Sequence, residues 1–355
     1  MNSFPHLLIF LTLLSPIFPI KLSNLQPRYD TSSQLMDVHD GNILQIPSSS
    51  TYFFYGMGYG SCQNPLWGCL GVFGLDSCGF QFNHSINLYI SNDLANWTFI
   101  SNVLPEEDRP NGIYFRPKVI YDSRRNHYVL WVNRVNGFMG LPNYLDADLL
   151  VAVSNTPEGP FTVITEQAKT KHGNPGDFTV FIDDDLKGYL IYDSFNTNHK
   201  VSIEQLTDDY LDVADGSASV IVSDVNNEAP IFFKRNGVYY LLYGQCCCFC
   251  TTGSNSVVKF SSNPMGPFTD PHIDIDPFSG SFFGGSSVTK GQQSFVLEVR
   301  EKSKSEDTYV FVSDRWGSAL DGEKGHDLQF WGRLEFVEGG IKPLKWVDEW
   351  ELDLN

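Results

Sequence analysis

The stretch SNTPEGPFT (Ser154–Thr162) recurs almost unchanged 107 residues later as SSNPMGPFT (Ser261–Thr269), and a looser copy, SNDLANWT, occupies Ser91–Thr98. Serine and asparagine initiate turns, proline fixes φ, and glycine permits a positive φ. Each copy is therefore predicted to be a turn that leads into a strand. A phrase that recurs within one chain is typical of a repeat architecture.

The segments before these turns predict the rest of the repeat. Short aromatic and β-branched runs follow turn signals such as RNG, which is a strong hairpin signal. The runs are STYFFYG (Ser50–Gly56), NHYVLWV (Asn126–Val132), GYLIYDS (Gly188–Ser194) and VYYLLYG (Val238–Gly244). The unit is a group of four strands that begins near residues 40, 116, 177, 228 and 285. Helical periodicity is nearly absent, so we predict an all-β fold, a five-bladed β-propeller over residues 25–355. A β-sandwich with accidental internal similarity is the alternative.

The N-terminus predicts export. Residues 1–22 have the apolar run of a signal peptide, and this run is too short to span a bilayer. An uncleaved anchor is the alternative. Sequons begin at Asn83 and Asn96, as expected for a secreted glycoprotein. We therefore expect an extracellular protein without a membrane partner.

Charge and cysteine content narrow the partners further. A net charge of −18 argues against nucleic acid. Seven cysteines in an exported chain predict disulfides. We expect bonds within the group Cys62, Cys69 and Cys78, or within the cluster CCCFC (Cys246–Cys250). A soft-metal site at that cluster is the less favoured interpretation, because its spacing is not that of a zinc knuckle.

Charged residues recur at the start of four repeats. Twelve residues before an aromatic residue of the second strand stand Asp40, Arg116, Asp177 and Glu228. The first strand of a propeller blade is the innermost, so these side chains should converge on the central axis. Carboxylates held close together have pKa values that are pushed apart, which separates an acid from a base. Such pairs suit glycoside hydrolysis.

Aromatic residues suit sugar binding, because they stack on the apolar face of a pyranose. The candidates are Tyr59, Trp67, Phe115 and Trp316. Each of them could equally belong to the core of a blade, since aromatic residues dominate protein cores.

The chain resembles glycoside hydrolase family 43 in DVHDGNIL, FRPKVIYD, GDFTVFIDDDLKGYLIY, EAPIFFKRNGVYYLLYG and VFVSDRWG. The resemblance implies a five-bladed propeller in which Asp40 is the general base and Glu228 the general acid. It implies that Asp177 tunes the pKa of the acid and orients it, and that water attacks directly with inversion. Residues near these positions are expected to bind substrate: His39, Phe115, Arg116, Trp67, Gln293, Arg315 and Trp316.

The DRW motif is similar to that of the exo-β-1,3-galactanase branch, but the chain departs from this branch. Phe115 stands where the branch has a glutamate, and Asp40 is present where the branch usually lacks a base. Gln292 or Gln293 is a loose match to a glutamine that the branch uses. The sugar therefore stays open among β-galactoside, α-L-arabinofuranoside and β-xyloside.

The favoured function is a secreted inverting glycosidase that acts on terminal sugars of a polysaccharide. We expect a monomer without a catalytic metal or cofactor, and the resemblance allows for a structural calcium ion. One alternative is a non-catalytic carbohydrate-binding propeller, which need not keep three carboxylates. Another is an interaction scaffold, for which an exposed apolar patch away from the axis would be the signature.

Overall fold

The fold is a ring of five β-sheets around one axis, seen in a computed structural model. The structure describes residues 19–46, 49–64, 78, 82, 84–138, 141–245, 249–279 and 285–354. These residues contain no α-helix, only short 3₁₀ turns at Glu106–Asp108, Phe195–Thr197 and Lys324–His326. The prediction of an all-β five-bladed propeller is confirmed.

Four of the five blades are antiparallel sheets of four strands. After an N-terminal strand β1 (Ile20–Ser23), the first blade has β2 (His39–Gln45), β3 (Tyr52–Gly58), β4 (Ser85–Ser91) and β5 (Thr98–Asn102). The second blade has β6 (Ile113–Asp122), β7 (His127–Phe138), β8 (Leu141–Ser154) and β9 (Thr162–Thr165). The third has β10 (Pro175–Ile182), β11 (Gly188–Ser194), β12 (Lys200–Gln205) and β13 (Ser219–Ile221). The fourth has β14 (Asn227–Arg235), β15 (Val238–Gln245), β16 (Val257–Ser261) and β17 (Thr269–Asp274).

The fifth blade is shorter and begins later than predicted. Its described strands are β18 (Gln292–Val299), β19 (Thr308–Arg315) and β20 (Leu328–Arg333). The first strands of neighbouring blades contact one another, and β18 contacts β2, so the ring is closed. A small hairpin of β21 (Phe336–Val337) and β22 (Gly340–Ile341) follows, and then the last strand, β23 (Glu349–Leu352).

The recurring phrase occupies the same corner of three blades. In each copy the first serine accepts, through Oγ, a hydrogen bond from the backbone N–H two residues later: Ser91 from Asp93, Ser154 from Thr156, and Ser261 from Asn263. The glycines of the two close copies, Gly159 and Gly266, have φ of 80° and 81°. This corner leads from the third strand to the outer fourth strand, as predicted.

The RNG hairpin also forms as predicted. Arg235 pairs with Val238, and the two intervening residues, Asn236 and Gly237, both have positive φ. Such a two-residue turn matches the right-handed twist of the strands that it joins. Aromatic and β-branched side chains then pack between neighbouring blades, as between Phe181 of blade three and Phe232 of blade four.

The N-terminus joins the fold earlier than predicted. Strand β1 pairs with β23, with Ile20 opposite Leu352 and Leu22 opposite Trp350. Leu22 is buried in the core cluster that also contains residues of blades one and five. The predicted leader to residue 22 therefore overlaps strand β1, and the boundary between leader and propeller stays a prediction. The overlap arises because the apolar residues at the end of the leader pattern pack as a strand.

Candidate active site

A β-bulge interrupts the innermost strand of every blade at the same level. The register breaks between His39 and Asn42, Phe115 and Lys118, Pro175 and Phe178, Glu228 and Ile231, and Gln293 and Phe295. A bulge inserts one extra residue, bends the strand and changes the direction of its side chains. The predicted active-site residues Asp40, Arg116, Asp177 and Glu228 all lie in these breaks or at their edges.

The three carboxylates do not occupy one equivalent position of the repeat. We count back along each strand from the first paired residue after the break. Asp40 lies two residues before Asn42, Asp177 one residue before Phe178, and Glu228 three residues before Ile231. The twelve-residue spacing was therefore right only to within one residue. Counting fails because the hairpins between the first and second strands differ in length: the equivalent pairs are Gln45 with Tyr52, Phe181 with Tyr189 and Lys234 with Tyr239.

Arg116 links the carboxylates. Its Nε lies 2.6 Å from Oδ1 of Asp177, and one terminal nitrogen lies 3.7 Å from Oδ1 of Asp40. Its other terminal nitrogen donates to the carbonyl oxygen of Gln293 at 3.2 Å. Burial alone would lower the pKa of this guanidinium, but Asp177, Asp40 and Glu228 together raise it. Arg116 is therefore a permanent positive charge among the carboxylates of blades one, three and four.

Asp40 is almost fully buried in the wall of this site. The backbone of Asp40 has a φ of 58°, and its N–H donates to Oδ2 of Asp314 at 3.0 Å. Oδ2 of Asp40 accepts a hydrogen bond from the Tyr59 hydroxyl at 3.3 Å. Burial raises the pKa of Asp40; Arg116 opposes this shift and Asp314 adds to it. A carboxylate with a raised pKa can act as a base near neutral pH.

Asp177 is supported from behind by a second layer of polar residues. The buried carboxylate of Asp193 stands close enough to Asp177 for the two charges to interact, and Oδ2 of Asp193 lies 2.6 Å from Nδ1 of His199. Burial raises the pKa of Asp193 to about 6, although His199 opposes this shift. The carbonyl oxygen of His199 in turn accepts from the N–H of Asn227, next to Glu228. This network ties the strand of Asp177 to the strand of Glu228.

Glu228 is oriented by blade five. The side-chain amide of Gln292 donates to Oε1 of Glu228 at 2.7 Å, and the indole N–H of Trp316 donates to Oε1 of Gln292 at 3.1 Å. Since Oε1 accepts a hydrogen bond, a proton on Glu228 would sit on Oε2. Sequence reasoning matched Gln292 only loosely, because its place in the fifth repeat could not be counted.

Trp316 forms the floor of the site and is not an exposed stacking surface. It is 1% exposed, and the ammonium of Lys324 lies 3.7 Å from its ring centroid. Tyr59 and Phe249 complete an aromatic cage around Lys324. The indole is enclosed by its neighbours in this structure, and contact between Trp316 and substrate stays a prediction. Tyr59, the other buried candidate, contacts Asp40 as described above.

Three further residues were predicted to bind substrate, of which two are buried polar residues and one is a half-buried phenylalanine. His39 is buried beside Asp40, with Nε2 3.0 Å from the Asp327 carbonyl oxygen, and Gln293 donates its amide to the Ala229 carbonyl oxygen at 2.6 Å. Phe115 is half-buried against the core of blades one and two.

Arg315 does not reach the site. Its guanidinium donates to the Asn24 carbonyl oxygen at 2.8 Å and covers the ring of Trp346. Alternation along β19 explains this placement, because Asp314 faces inward and its neighbour must face the opposite side. Trp67 lies outside the described residues.

One predicted disulfide forms. Cys62 and Cys78 are bonded, with Cα atoms 5.4 Å apart. His84 lies within 4.8 Å of both sulfur atoms, but bonded cysteines have no thiolate to offer a metal ion. Cys69 and the cluster residues 246–248 lie outside the described residues, as does the sequon residue Asn83.

Sequence reasoning missed the residues that support the site from below, above all Lys118 and Asp314. Both belong to motifs that carried the family resemblance, RPK and DRW, but charge type alone did not indicate an inward direction. The ammonium of Lys118 donates to the carbonyl oxygens of Asp40, Gly41 and Ser294. These are the oxygens that a hard cation at this point would need, so the described residues do not fit a calcium ion there.

Comparison with known proteins agrees with the resemblance to a family of glycoside hydrolases. Residues 77–336 match the family model of glycosyl hydrolases family 43. An exo-β-1,3-galactanase structure from Clostridium thermocellum is 27% identical, with a TM-score of 0.74 over 94% of this chain and 67% of that chain. An exo-β-1,3-galactanase from Phanerochaete chrysosporium in complex with β-1,3-galactotriose is 22% identical, with a TM-score of 0.72 over 94% of this chain and 68% of the other.

A third structure matches over nearly its full length. A family 43 β-1,3-galactosidase with galactodeoxynojirimycin is 23% identical, with a TM-score of 0.68 over 93% of this chain and 99% of that chain. The two structures that are less than 25% identical show the shared fold only. No curated protein matches the chain. The chain belongs to glycosyl hydrolases family 43 and is an O-glycosyl hydrolase.

Proposed function

We propose that this enzyme removes terminal sugars from a polysaccharide with inversion, and that a β-linked galactoside is the favoured substrate. The observation that carries the mechanism is the position of Arg116 among Asp40, Asp177 and Glu228. The sugar is proposed from the exo-β-1,3-galactanase of Clostridium thermocellum, whose structure is 27% identical to this chain.

In this mechanism Glu228 protonates the glycosidic oxygen as the bond to the anomeric carbon breaks. Gln292 holds Oε1 of Glu228 and so directs the proton-bearing oxygen. Asp40 removes a proton from the water that attacks the opposite face of the sugar ring. Arg116 holds Asp177 in place through an ion pair, and its charge opposes the rise in the pKa of Asp40 because a guanidinium within 4 Å favours the charged form of a carboxylate.

We also propose that the protein is exported and acts as a monomer. The apolar residues 7–18 and the Cys62–Cys78 disulfide support export. Asn96 is an exposed sequon residue and could carry a glycan. The structure has no helix, among its described residues, that is long and apolar enough to cross a membrane. Recovery of the protein from the medium, with its N-terminus sequenced, tests this proposal.

The reaction is tested by proton NMR of a digest of β-1,3-galactotriose. Inversion of a β-galactoside releases α-galactose first, which then mutarotates, whereas retention would release β-galactose. Aryl β-galactosides, α-L-arabinofuranosides and β-xylosides, assayed in parallel, compare the three sugars. Cleavage of only the α-L-arabinofuranoside or only the β-xyloside would overturn the galactoside assignment and leave the proposed mechanism unaffected. Tight oligosaccharide binding without any sugar release would instead favour a carbohydrate-binding propeller.

A further inference from the structure

Lys118 places a buried ammonium group beneath the proposed base. It lies in β6, two residues after Arg116, and is 2% exposed. Its Nζ lies 3.2 Å, 2.5 Å and 3.0 Å from the carbonyl oxygens of Asp40, Gly41 and Ser294. An ammonium has three N–H donors, so one side chain of blade two uses all of them on the backbones of blades one and five.

The three carbonyl groups lie at bulges, where the strand ladders are interrupted, and only that of Gly41 has a second side-chain donor among the described residues, the Ser294 hydroxyl at 3.4 Å. The ladder between β2 and β3 is broken from His39 to Asn42, and the ladder between β18 and β19 is broken from Gln293 to Phe295. A buried carbonyl that is left without a hydrogen bond costs about 1–3 kcal/mol. Gly41 permits the close approach of β2 and β3 at this bulge, because a Cβ on Gly41 would overlap the Tyr55 carbonyl oxygen. Lys118 therefore stabilises the distorted backbone that carries Asp40.

The surroundings of the ammonium resemble those of a bound cation. Among the described residues, no carboxylate lies within ion-pair distance of Nζ, and its acceptors are neutral carbonyl oxygens. Burial and Arg116 lower the pKa of Lys118 to about 7, and the carboxylates of Asp40, Asp314 and Asp177 oppose this shift. The charge of Lys118 in turn lowers the pKa of Asp40. Backbone carbonyls are also ligands that calcium takes in proteins.

We propose that Lys118 acts as a built-in cation that positions Asp40 and makes the centre of the propeller independent of a calcium ion. Lys118 is a positioning residue, since it reaches the reaction only through the backbone and charge of Asp40. The inference rests on the proposed role of Asp40 as the base. The alternative is that the centre of the propeller needs a bound calcium ion, which the family resemblance allows and the experiments below test.

The first experiment asks whether the wild-type protein needs calcium. Its melting temperature and its kcat are measured after dialysis against EDTA and after addition of calcium chloride. We expect both quantities to be unchanged within error. A fall in melting temperature and activity on chelation, reversed by calcium, would overturn the proposal. Since the melting temperature requires no substrate, this part decides the question even if the proposed reaction is wrong.

The second experiment removes the ammonium in Lys118→Ala and supplies methylammonium in solution. We expect kcat to fall at least tenfold, the acid limb of the kcat/KM profile to move to higher pH, and methylammonium to reverse both changes with saturation. A merely structural lysine would lower the melting temperature without moving the pH profile. Lys259→Ala is the matched control, because Lys259 also donates to a carbonyl oxygen, that of Val222, but in blade four away from the site.

A third variant keeps the test decisive if Lys118→Ala does not fold. Lys118→Met preserves the length of the side chain and removes its charge and donors. We expect the same loss of kcat and the same shift of the acid limb. An unchanged kcat and an unchanged limb in this variant would refute the positioning role. If the wild type cleaves no glycoside at all, the proposed function fails, while the chelation experiment still reports on the cation.

Discussion

Nε of Arg116 lies 2.6 Å from Oδ1 of Asp177, although blade two supplies the arginine and blade three the carboxylate. The same guanidinium lies 3.7 Å from Oδ1 of Asp40 in blade one. The negative charges of Asp177, Asp40 and Glu228 raise the pKa of Arg116. One cation thus lies between two carboxylates that would repel one another, and the charge of Glu228 acts on it from further away. The distance between blades, and not the order along the chain, brings these groups into one site.

Glu228→Gln removes the proposed acid and keeps the shape of the side chain. We expect kcat on β-1,3-galactotriose to fall by about 10²–10⁴, the usual contribution of general acid catalysis. Activated aryl glycosides should lose less, because their leaving groups need little protonation. The two substrates are compared by steady-state kinetics. Equal losses on both would contradict the assignment of Glu228 as the acid.

Asp40→Asn should abolish hydrolysis of both natural and activated substrates. The attacking water loses its base whatever the leaving group, so both rates should fall by about 10²–10⁴. Sugar release is measured on the same two substrates, and a circular dichroism spectrum shows whether the variant folds. A variant that still cleaves aryl glycosides at the wild-type rate would show that another group serves as the base.

Tyr59→Phe should move the acid limb of the pH profile of kcat/KM upward. Burial already raises the pKa of Asp40 above 3.8, so the limb of the wild type should lie above that value. The Tyr59 hydroxyl donates to the ionised form, and its removal should raise the pKa further. Tyr55→Phe is the matched control, because the Tyr55 hydroxyl donates to the Pro157 carbonyl oxygen away from the site. A downward shift, or an equal shift in both variants, would contradict the role of Asp40.

Trp316→Phe should lower kcat more than it changes KM. The variant loses one hydrogen bond to Gln292, typically worth about 1 kcal/mol or about fivefold in rate, and Gln292 then orients Glu228 less well. Because Trp316 is buried, it should add little to binding of the ground state. Michaelis–Menten kinetics separate the two effects. A large rise in KM with an unchanged kcat would mean that the indole contacts the sugar after all.

Leu22→Ala should destabilise the fold by about 2–5 kcal/mol, the usual cost of emptying a buried leucine site. Leu22 is buried between the terminal strands and blade one, whereas Leu25, the control position, is 46% exposed. Urea unfolding of both variants gives the difference. If the protein is exported as proposed, its mature N-terminus should accordingly lie at or before Ile20. Equal stability of the two variants would show that the packing of β1 does not stabilise the fold.

The sequence alone determined the repeat and most of the fold. Turn residues in SNTPEGPFT and in RNG have conformations that only a few residue types adopt, and aromatic alternation marks which strands are buried. These are local properties, so they could be read without coordinates. The positions of Asp40, Arg116, Asp177 and Glu228 followed from the repeat to within one residue.

Only the tertiary structure decided which way each side chain points. A bulge adds one residue to the strand and reverses the alternation of its side chains, so counting along the repeat cannot place a residue that lies beside it. Alternation along β19 turns Arg315 away from the site, and Trp316 lies buried beside Gln292. The role of Lys118 was hidden for a related reason. Its acceptors are backbone carbonyls of two other blades, and no residue type in the sequence reports where such a carbonyl lies.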